Sequence, residues 1–362
     1  MPDKNPTPDY SGLINDLVKT TGNVFKDSIF PGGAIVAANS FQSYFPKQAK
    51  NYKFVWPRDG SFICYASEII DMNISDNFFN WCMKAEGWEQ KGLYYEKYFI
   101  SGKQAESNFQ PDQTGTLLWA FCNIVNHDET RLRKFERLIV KSANGLCNIW
   151  NKDHFTMISQ DLWEERLCFP DMKENFTYSL AACYTGLVCA YSILKKERWL
   201  ETAEQIKEIL NSSINNVPGR SFGLHTDNRI DASLLGLIWP FDIALPEKVQ
   251  LNLIKEIEKK LVRDYGVYRY EHDEYDGWMY NKNIHRRKGA GYWPLLNFWM
   301  SIACLQNGKR NEAEKYFFKV LDDIKNQFIP EQVFNNNYQV AVSPLCWSHA
   351  MFIIAAQKLG LI

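Results

Sequence analysis

Residues 175–194 read NFTYSLAACYTGLVCAYSIL, and residues 197–210 read ERWLETAEQIKEIL. The first stretch contains no charged residue, and its apolar side chains recur at helical spacing, as at Leu180, Tyr184 and Leu187. The second stretch carries six charged residues. A helix that is apolar on every side is buried, whereas a helix with a charged face borders water. The two stretches therefore predict an inner helix followed by an outer helix.

The same alternation runs along the whole chain. Charged, outer-type helices are predicted over 11–21, 75–90, 130–143, 197–210, 246–262 and 310–325. Charge-poor, inner-type helices are predicted over 60–72, 114–126, 175–194, 231–239, 291–306 and 343–357. A chain that alternates six outer with six inner helices closes most simply as a ring within a ring. The expected fold is therefore all-α, an (α/α)6 barrel, with a plain α-solenoid as the alternative.

The connections between these helices favour the barrel and indicate where its site lies. Connections from outer to inner helices are long, namely 22–58, 91–113, 151–174, 211–230, 263–290 and 327–342. The reverse connections are mostly short, such as 73–74 and 195–196. Because successive helices run antiparallel, all six long connections lie at one end of the ring. Loops of this length in a compact domain are usually functional, so we expect a site in the pit at that end.

Composition excludes several classes of function. The 362 residues include 41 Lys and Arg against 42 Asp and Glu, a net charge of −1, which leaves no bulk charge for nucleic acid or an anionic membrane. No apolar run approaches the roughly 18 residues of a membrane span, and the polar N-terminus does not resemble a secretion signal. The nine cysteines are irregularly spaced, which indicates buried thiols rather than a zinc site. We expect a cytoplasmic protein, with signal-independent export left open.

The first long connection ends with Val55-Trp56-Pro57-Arg58-Asp59. Asp59 could simply cap the next helix. Alternatively, Arg58 and Asp59 offer a fork of donors and an acceptor to vicinal hydroxyl groups beside aromatic faces. The segment 268–276 mixes aromatic residues with both signs of charge, a composition that suits recognition of a polyol.

Two further connections supply carboxyl groups in apolar surroundings. Glu164 and Glu165 lie in the sequence Asp161-Leu162-Trp163-Glu164-Glu165-Arg166, and Glu331 follows Ile329-Pro330. An apolar environment disfavours the charged carboxylate and raises its pKa, as a general acid requires. The barrel would bring Glu164 and Glu331 to one rim. Two carboxyl groups across an aromatic pit are the minimal equipment of a glycosidase.

Other motifs are weaker. Gly219-Arg220-Ser221-Phe222-Gly223 fits the hydrolase pattern G-x-S-x-G, but that motif requires a preceding strand and a following helix. Here a helix precedes it and a polar loop follows, so a serine nucleophile is not expected. His349 is interpreted as a core or rim histidine whose hydrogen bonds are satisfied.

Taken together, these segments resemble glycoside hydrolase family 15, the glucoamylases with their glucodextranase and trehalase relatives. The resemblance runs from Gly33 to Ala350, nearly the whole chain. Its motifs occur in family order, namely Val55–Asp59, Asp161–Glu165, Phe176–Ala182, Tyr268–Glu271, Tyr292–Leu295 and Pro330–Gln332.

The resemblance implies an (α/α)6 barrel in which Glu164 is the general acid and Glu331 the general base. It implies that Arg58 and Asp59 bind the terminal sugar and that Glu165 and Arg269 hold hydroxyl groups near the cleaved bond. Gln110-Pro111-Asp112 matches a substrate-binding segment only loosely. The implied sugar-binding residues are Tyr52, Trp56, Arg58, Asp59, Gln110, Asp112, Trp163, Glu165, Arg269, Trp293 and Trp347.

Prokaryotic members of that family usually carry an N-terminal β-sandwich, but only about 30 residues precede the matching region here. We therefore expect residues 1–362 to form a single catalytic domain with neither a β-sandwich nor a starch-binding module. The expected activity is that of an inverting, exo-acting α-glucosidase releasing β-glucose from the non-reducing ends of α-glucans or maltooligosaccharides. It would need no metal and no cofactor, because an acid and a base suffice.

Two alternatives remain open. A trehalase or another α-glucoside hydrolase would use the same carboxyl groups. A catalytically silent, sugar-binding or regulatory domain is the alternative from a different class, although the presence of both Glu164 and Glu331 argues against it. The sequence does not specify the glycosidic linkage or the oligomeric state.

Overall fold

The computed structural model describes residues 9–125, 128–214, 217–277, 289–324 and 326–362. Its α-helices are α1 (Ser11–Ser28), α2 (Pro57–Ile69), α3 (Ser75–Cys82), α4 (Trp88–Lys91), α5 (Pro111–Val125), α6 (Glu129–Ile149), α7 (Thr177–Leu194), α8 (Glu197–Ser213), α9 (Glu247–Leu261), α10 (Pro294–Gln306), α11 (Arg310–Asp323) and α12 (Cys346–Leu359). Two 3-10 helices cover Pro170–Met172 and Ala232–Leu237.

Short antiparallel strand pairs fill much of the long connections. The strands are β1 (Tyr95–Tyr98), β2 (Gln104–Phe109), β3 (Trp150–Asn151), β4 (His154–Phe155), β5 (Ser159–Gln160), β6 (Leu167–Cys168), β7 (Asn175–Phe176), β8 (Ser221–Phe222), β9 (Val262–Arg263) and β10 (Gly266–Val267). They pair as β1 with β2, β3 with β4, β5 with β6, β7 with β8 and β9 with β10. These small ladders give the loops fixed shapes.

The inner helices form a closed ring. α2 packs against α5, α5 against α7, and α7 against the 3-10 helix Ala232–Leu237. The 3-10 helix packs in turn against α10, α10 against α12, and α12 against α2. A solenoid has two free ends, so this closure confirms the (α/α)6 barrel and excludes the alternative. The outer helices α3, α6, α8, α9 and α11 lie against the inner ring, and α1 covers α12.

The inner ring is tight because small residues line its closest contact. A Cβ added at Gly115 of α5 would lie 2.5 Å from the backbone of Ala182 in α7. A Cβ at Gly186 of α7 would lie 2.5 Å from the carbonyl oxygen of Gly115. Helix α7 is long and apolar enough by composition to cross a membrane, with 56% of it buried inside the protein. Its apolar character follows from its place in the inner ring.

Two predicted helices differ from the observed ones. The stretch 231–239 forms only the 3-10 helix Ala232–Leu237, because Pro240 follows closely and Gly236 packs against the ring of Tyr178. The stretch 75–90 divides into α3 and α4, since Gly87 between them has a φ of 85°. Residue 126 of the predicted helix 114–126 and residue 325 of 310–325 lie outside the described residues, as does 278–288 of the connection 263–290.

Candidate active site

A pit of about 280 Å³ opens at the end of the barrel where the long connections lie. Its walls come from the first, third, fifth and sixth of these connections and from the starts of the inner helices that follow. The second and fourth connections support the wall residues from behind. The lining residues are Ala37, Lys50, Tyr52, Trp56, Arg58, Asp59, Leu162, Trp163, Glu164, Glu165, Arg269, Tyr275, Trp293, Glu331, Leu345 and Trp347.

The start of α2 brings Arg58 and Asp59 to the buried end of the pit. Val55 forms a bridge to Tyr98, and Pro57 then takes the first helical position, where its fixed φ suits a helix start. The amide of Arg58 donates to Oε1 of Gln113 at 2.7 Å, so this first-turn donor is satisfied. Both the Arg58 and Asp59 side chains are buried at the positive end of the helix dipole.

Gln110 and Asp112 lie behind Arg58, outside the pit lining, and hold its guanidinium in place. Nη1 of Arg58 lies 3.1 Å from Oε1 of Gln110 and 3.0 Å from Oδ2 of Asp112. Burial alone lowers the pKa of Arg58, but Asp59 and Asp112 raise it above its ordinary value. Burial raises the pKa of Asp59 to about 6 against the opposing charge of Arg58. The structure thus gives Gln110 and Asp112 a role in fixing Arg58, and their direct contact with sugar stays a prediction.

Glu164 lies on a loop that joins β5 to β6. The side chain of Asp161 organises this loop, since its Oδ1 accepts from the amides of Glu165 at 2.8 Å and Arg166 at 3.0 Å. The amide of Glu164 donates to the carbonyl oxygen of Asp161 at 3.1 Å. Glu164 has a φ of 62°, a left-handed conformation that costs a non-glycine residue about 1–3 kcal/mol. The backbone therefore aims this carboxyl group at the expense of local strain.

A buried charge network anchors the loop from below. Arg220 forms ion pairs with Asp161 and, at 3.1 Å from its Nε, with Oδ2 of Asp231. Nε1 of Trp163 donates to both carboxylate oxygens of Asp231 at 3.0 Å. Arg220 belongs to the G-x-S-x-G pattern, where Ser221 lies in strand β8. The motif thus supplies an anchoring arginine.

The neighbours of Glu164 are of mixed charge. Nε1 of Trp56 donates to its Oε1 at 2.5 Å, and Nζ of Lys97 lies 3.8 Å from its Oε2. Burial raises the pKa of Glu164 to about 7; the charge of Glu96 adds to this increase, while Lys97 and Arg58 oppose it. Its side chain is 23% exposed, so the carboxyl group reaches into the pit. A carboxylic acid in this setting can deliver a proton near neutral pH.

Glu331 is more deeply enclosed. Only 2% of it is exposed, and the hydroxyl of Tyr52 donates to its Oε1 at 2.7 Å. Its Oε2 has no hydrogen-bond partner within the described residues. Burial raises the pKa of Glu331 to about 7, whereas Tyr52, Arg269 and Lys50 all act to lower it. The neighbouring groups of Glu331 thus favour its carboxylate form, which is the form that a general base needs.

Arg269 spans the wall beside Glu331. Its Nε and Nη2 each lie 2.8 Å from an oxygen of Asp273, and Nη2 also lies 2.8 Å from Oε1 of Glu165. The hydroxyl of Tyr270 donates to the other oxygen of Glu165. The guanidinium centre lies 5.0 Å from the ring centroid of Trp293. This arrangement presents fixed donors and acceptors next to aromatic faces, as sugar recognition requires.

A comparison with known proteins agrees with this geometry. The family model described as Glycosyl hydrolases family 15 matches residues 17–357, almost the entire chain. The chain belongs to glycosyl hydrolase family 15. It is 30% identical over 354 residues to the uncharacterized glycosyl hydrolase MJ1610 of Methanocaldococcus jannaschii, an alignment that covers 89% of this chain and 52% of that protein. The chain thus spans about half the length of that relative.

Two further relatives match over most of this chain. The isomaltose glucohydrolase of Kribbella flavida is 22% identical over 391 residues, covering 96% of this chain and 94% of that protein. The solved structure of a bacterial glucoamylase complexed with acarbose superposes with a TM-score of 0.73 at 20% identity, covering 98% of this chain and 57% of that one. This structural similarity supports the glucoamylase-like barrel.

Most residues predicted for the family 15 site meet in the pit. Both predicted catalytic residues and nine predicted sugar-binding residues line it, namely Glu164, Glu331, Tyr52, Trp56, Arg58, Asp59, Trp163, Glu165, Arg269, Trp293 and Trp347. Lys50, Tyr275, Glu96 and Lys97 are not among the residues that the sequence predicts for the site. Tyr275 lies in the segment 268–276 that suggested polyol binding. Glu96 and Lys97 interrupt the aromatic run YYEKYF, the same signal that drew attention to Glu164.

Proposed function

We propose that the protein is an inverting, exo-acting α-glucosidase that releases β-glucose from the non-reducing ends of α-glucans or maltooligosaccharides. The observation that carries this proposal is the pairing of Glu164 with Glu331 in one pit. Burial raises the pKa of both residues. The charge of Glu96 also raises the pKa of Glu164, whereas Tyr52, Arg269 and Lys50 all lower that of Glu331. Family 15 membership agrees with a glycosidase of this kind.

The proposed reaction is a single displacement. Glu164 gives its proton to the glycosidic oxygen, and the electron pair of the breaking C–O bond goes to that oxygen, so that the leaving sugar departs as an alcohol. A water molecule attacks the anomeric carbon from the opposite face and gives its proton to Glu331. The configuration changes from α to β. General acid and general base groups each contribute about 10²–10⁴-fold in such reactions.

Exo-action is supported by the shape and chemistry of the pit. Arg58, Asp59 and Trp347 line the pit from the starts of the inner helices α2 and α12, and each is less than a tenth exposed. A side-on groove would let a chain pass through, whereas a closed end accepts only a chain terminus. The Arg58 guanidinium and the Asp59 carboxylate together match the paired hydroxyl groups of a terminal glucose.

The decisive experiment follows hydrolysis of maltooligosaccharides by proton NMR. We expect the β-anomer of glucose to accumulate first, before mutarotation. Initial release of the α-anomer would overturn the inverting mechanism, and release of maltose or larger fragments would overturn exo-action. Binding of a sugar without any hydrolysis would favour the silent sugar-binding domain instead.

Isomaltose is a second candidate substrate. The isomaltose glucohydrolase of Kribbella flavida matches this chain over nearly its own whole length, unlike the twofold longer MJ1610 protein. Parallel assays on maltose, maltotriose, isomaltose and trehalose, with released glucose measured, would rank these substrates by kcat/KM. A value for isomaltose at least tenfold above that for maltose would assign the isomaltose activity, and a preference for trehalose would assign a trehalase.

A further inference from the structure

The hairpin formed by β1 and β2 brings a second carboxylate and a lysine to Glu164. Glu96 and Lys97 are consecutive residues of β1, and consecutive side chains of a regular strand point to opposite faces. The pairing of β1 with β2 shifts register between Tyr95 and Lys97. This irregularity turns the strand locally, so that both side chains converge on Glu164 in the loop between β5 and β6.

Lys97 lies between two carboxyl groups, and it is much closer to one of them. Its Nζ is 2.6 Å from Oε1 of Glu96 and 3.8 Å from Oε2 of Glu164. Glu96 is 3% exposed, and Nδ2 of Asn108 donates to its Oε2 at 2.8 Å. Both oxygens of Glu96 are therefore engaged by donors that favour the carboxylate. The closer ion pair with Glu96 therefore offsets part of the positive charge that Lys97 presents to Glu164.

We propose that Glu96 is a positioning residue that pairs with Lys97 and thereby keeps Glu164 in its proton-carrying form until the glycosidic bond breaks. This role rests on the proposed function, in which Glu164 is the general acid. Before cleavage, Lys97 is bound to Glu96, and the nearby Glu96 carboxylate disfavours a second negative charge on Glu164. After proton transfer, Lys97 lies close enough to both carboxylates to stabilise the new charge.

The other groups around Glu164 do not have the effect that we propose for Glu96. Arg58 from α2 acts on Glu164 in the same direction as Lys97, and Trp56 donates a hydrogen bond that favours the carboxylate. The hydroxyls of Tyr52 and Tyr275 are neutral at working pH, since burial raises both their pKa values well above the ordinary one. Glu96 is thus the carboxylate with the largest effect against the ionisation of Glu164.

The hydrogen bond from Trp56 supplies a direct readout of Glu164. Its indole N–H lies 2.5 Å from Oε1 of Glu164, so its NMR chemical shift follows the ionisation of that carboxyl group. We would label the protein with ¹⁵N-tryptophan and assign the signal with Trp56→Phe. The titration needs no substrate, so it reports on Glu96 even if no glucoside is cleaved.

The test compares Glu96→Gln, Lys97→Met and the double variant. Glu96→Gln leaves Lys97 unpaired and should lower the titration midpoint of the Trp56 signal by about one pH unit, while Lys97→Met should raise it by a similar amount. The double variant should return close to the wild-type midpoint. The basic limb of the kcat/KM profile should move in the same directions, because it reports the acid in the free enzyme.

Glu106→Gln is the matched control, since Glu106 pairs with Lys97 across the same hairpin but is exposed. It should leave the midpoint within a few tenths of a pH unit. Shifts in the same direction for Glu96→Gln and Lys97→Met, or no shift in either, would overturn the positioning role. Opposite midpoint shifts in a protein that hydrolyses no glucoside would instead overturn the proposed function and leave the Glu96–Lys97–Glu164 coupling intact.

Discussion

Glu164 and Glu331 line the same pit from two regions that are built differently. Glu164 lies in a six-residue loop between β5 and β6, with a left-handed backbone and a side chain that is 23% exposed. Glu331 is 2% exposed and lies outside any helix or strand, where its amide donates to the carbonyl oxygen of Val342 at 2.8 Å. The first region is a strained loop that Asp161 and Arg220 stabilise, and the second is a buried segment that a backbone hydrogen bond holds in place.

The difference bears on the two roles that we propose for these glutamates. Burial raises the pKa of both residues to about 7, so burial alone does not distinguish them. Among the smaller contributions, the charge of Glu96 raises the pKa of Glu164 while Lys97 and Arg58 lower it, and Tyr52, Arg269 and Lys50 all lower the pKa of Glu331. A neighbouring carboxylate favours the protonated form that a general acid needs, whereas donors and cations favour the charged form that a general base needs. The greater exposure of Glu164 agrees with the role proposed for it, because an acid must reach the glycosidic oxygen.

Removing the base should have the largest effect. Glu331→Gln keeps the size of the side chain and its contact with Tyr52 but cannot take a proton from water. We expect a loss of about 10²–10⁴-fold in kcat for every substrate, including α-glucosyl fluoride. Steady-state kinetics on maltose and on the fluoride measure it. A variant that keeps near wild-type activity on either substrate would remove Glu331 from the mechanism.

Removing the acid should have a large effect only where the leaving group needs a proton. Glu164→Gln should reduce maltose hydrolysis by about 10²–10⁴-fold. Fluoride departs with little protonation, so hydrolysis of α-glucosyl fluoride should suffer far less. The ratio of the two losses, measured with the same enzyme preparation, separates Glu164 from Glu331. Equal losses on both substrates would contradict the assignment of Glu164 as the acid.

The sequence predicts the alternation of helices and the two candidate catalytic carboxyl groups because both depend on local patterns. Charge-free helical stretches must be buried wherever they lie, and a glutamate among apolar residues has a shifted pKa in most folds. Closure of the ring depends instead on α12 meeting α2, which no local pattern specifies. The inner stretch 231–239 is shortened by Pro240 and by contact with Tyr178, and that contact joins distant parts of the chain.

The supporting residues are harder to predict for the same reason. Arg220 and Asp161 are 59 positions apart, yet they form one ion pair at the loop that carries Glu164. Lys97 acts on Glu164 only because an irregular hairpin turns it there. Gln110 and Asp112 illustrate the converse, since a loose motif match predicts that they bind sugar while the structure places them behind Arg58.

A smaller effect is expected from the tyrosine that contacts the base. Tyr52→Phe removes the hydrogen bond that lowers the pKa of Glu331, so this pKa should rise by about one unit. The acidic limb of the kcat/KM profile should move to higher pH by the same amount, with the basic limb unchanged. Tyr275→Phe is the control, because its hydroxyl contacts Tyr52 at 3.2 Å and acts on Glu331 less directly. A shift of the basic limb instead would reverse the assignments of acid and base.

The smallest predicted effect concerns the pH dependence of the free energy of unfolding. It depends on His349, which holds the segment that leads to Glu331. Nε2 of His349 accepts from the amide of Ile329 at 3.0 Å, two residues before Glu331, so its Nδ1 carries the proton that reaches Oγ1 of Thr21 at 2.8 Å. Burial lowers the pKa of His349 to about 3 from the ordinary 6.5. The unfolded chain therefore binds a proton below pH 6.5 that the folded protein does not.

This linkage has a definite sign. Stability from neutral His349 is fully present above pH 6.5 and falls as the pH is lowered from 6.5 towards 3. The expected slope is about 1.4 kcal/mol per pH unit. His349→Gln can accept from Ile329 and donate to Thr21 without titrating, so its free energy of unfolding should fall less between pH 7 and pH 5.5. Urea unfolding of both proteins at the two pH values measures the difference, because all other ionisable groups are shared. Identical pH dependence in the two proteins would mean that His349 takes up a proton in the folded state, and the wall behind Glu331 would then be looser than its hydrogen bonds indicate.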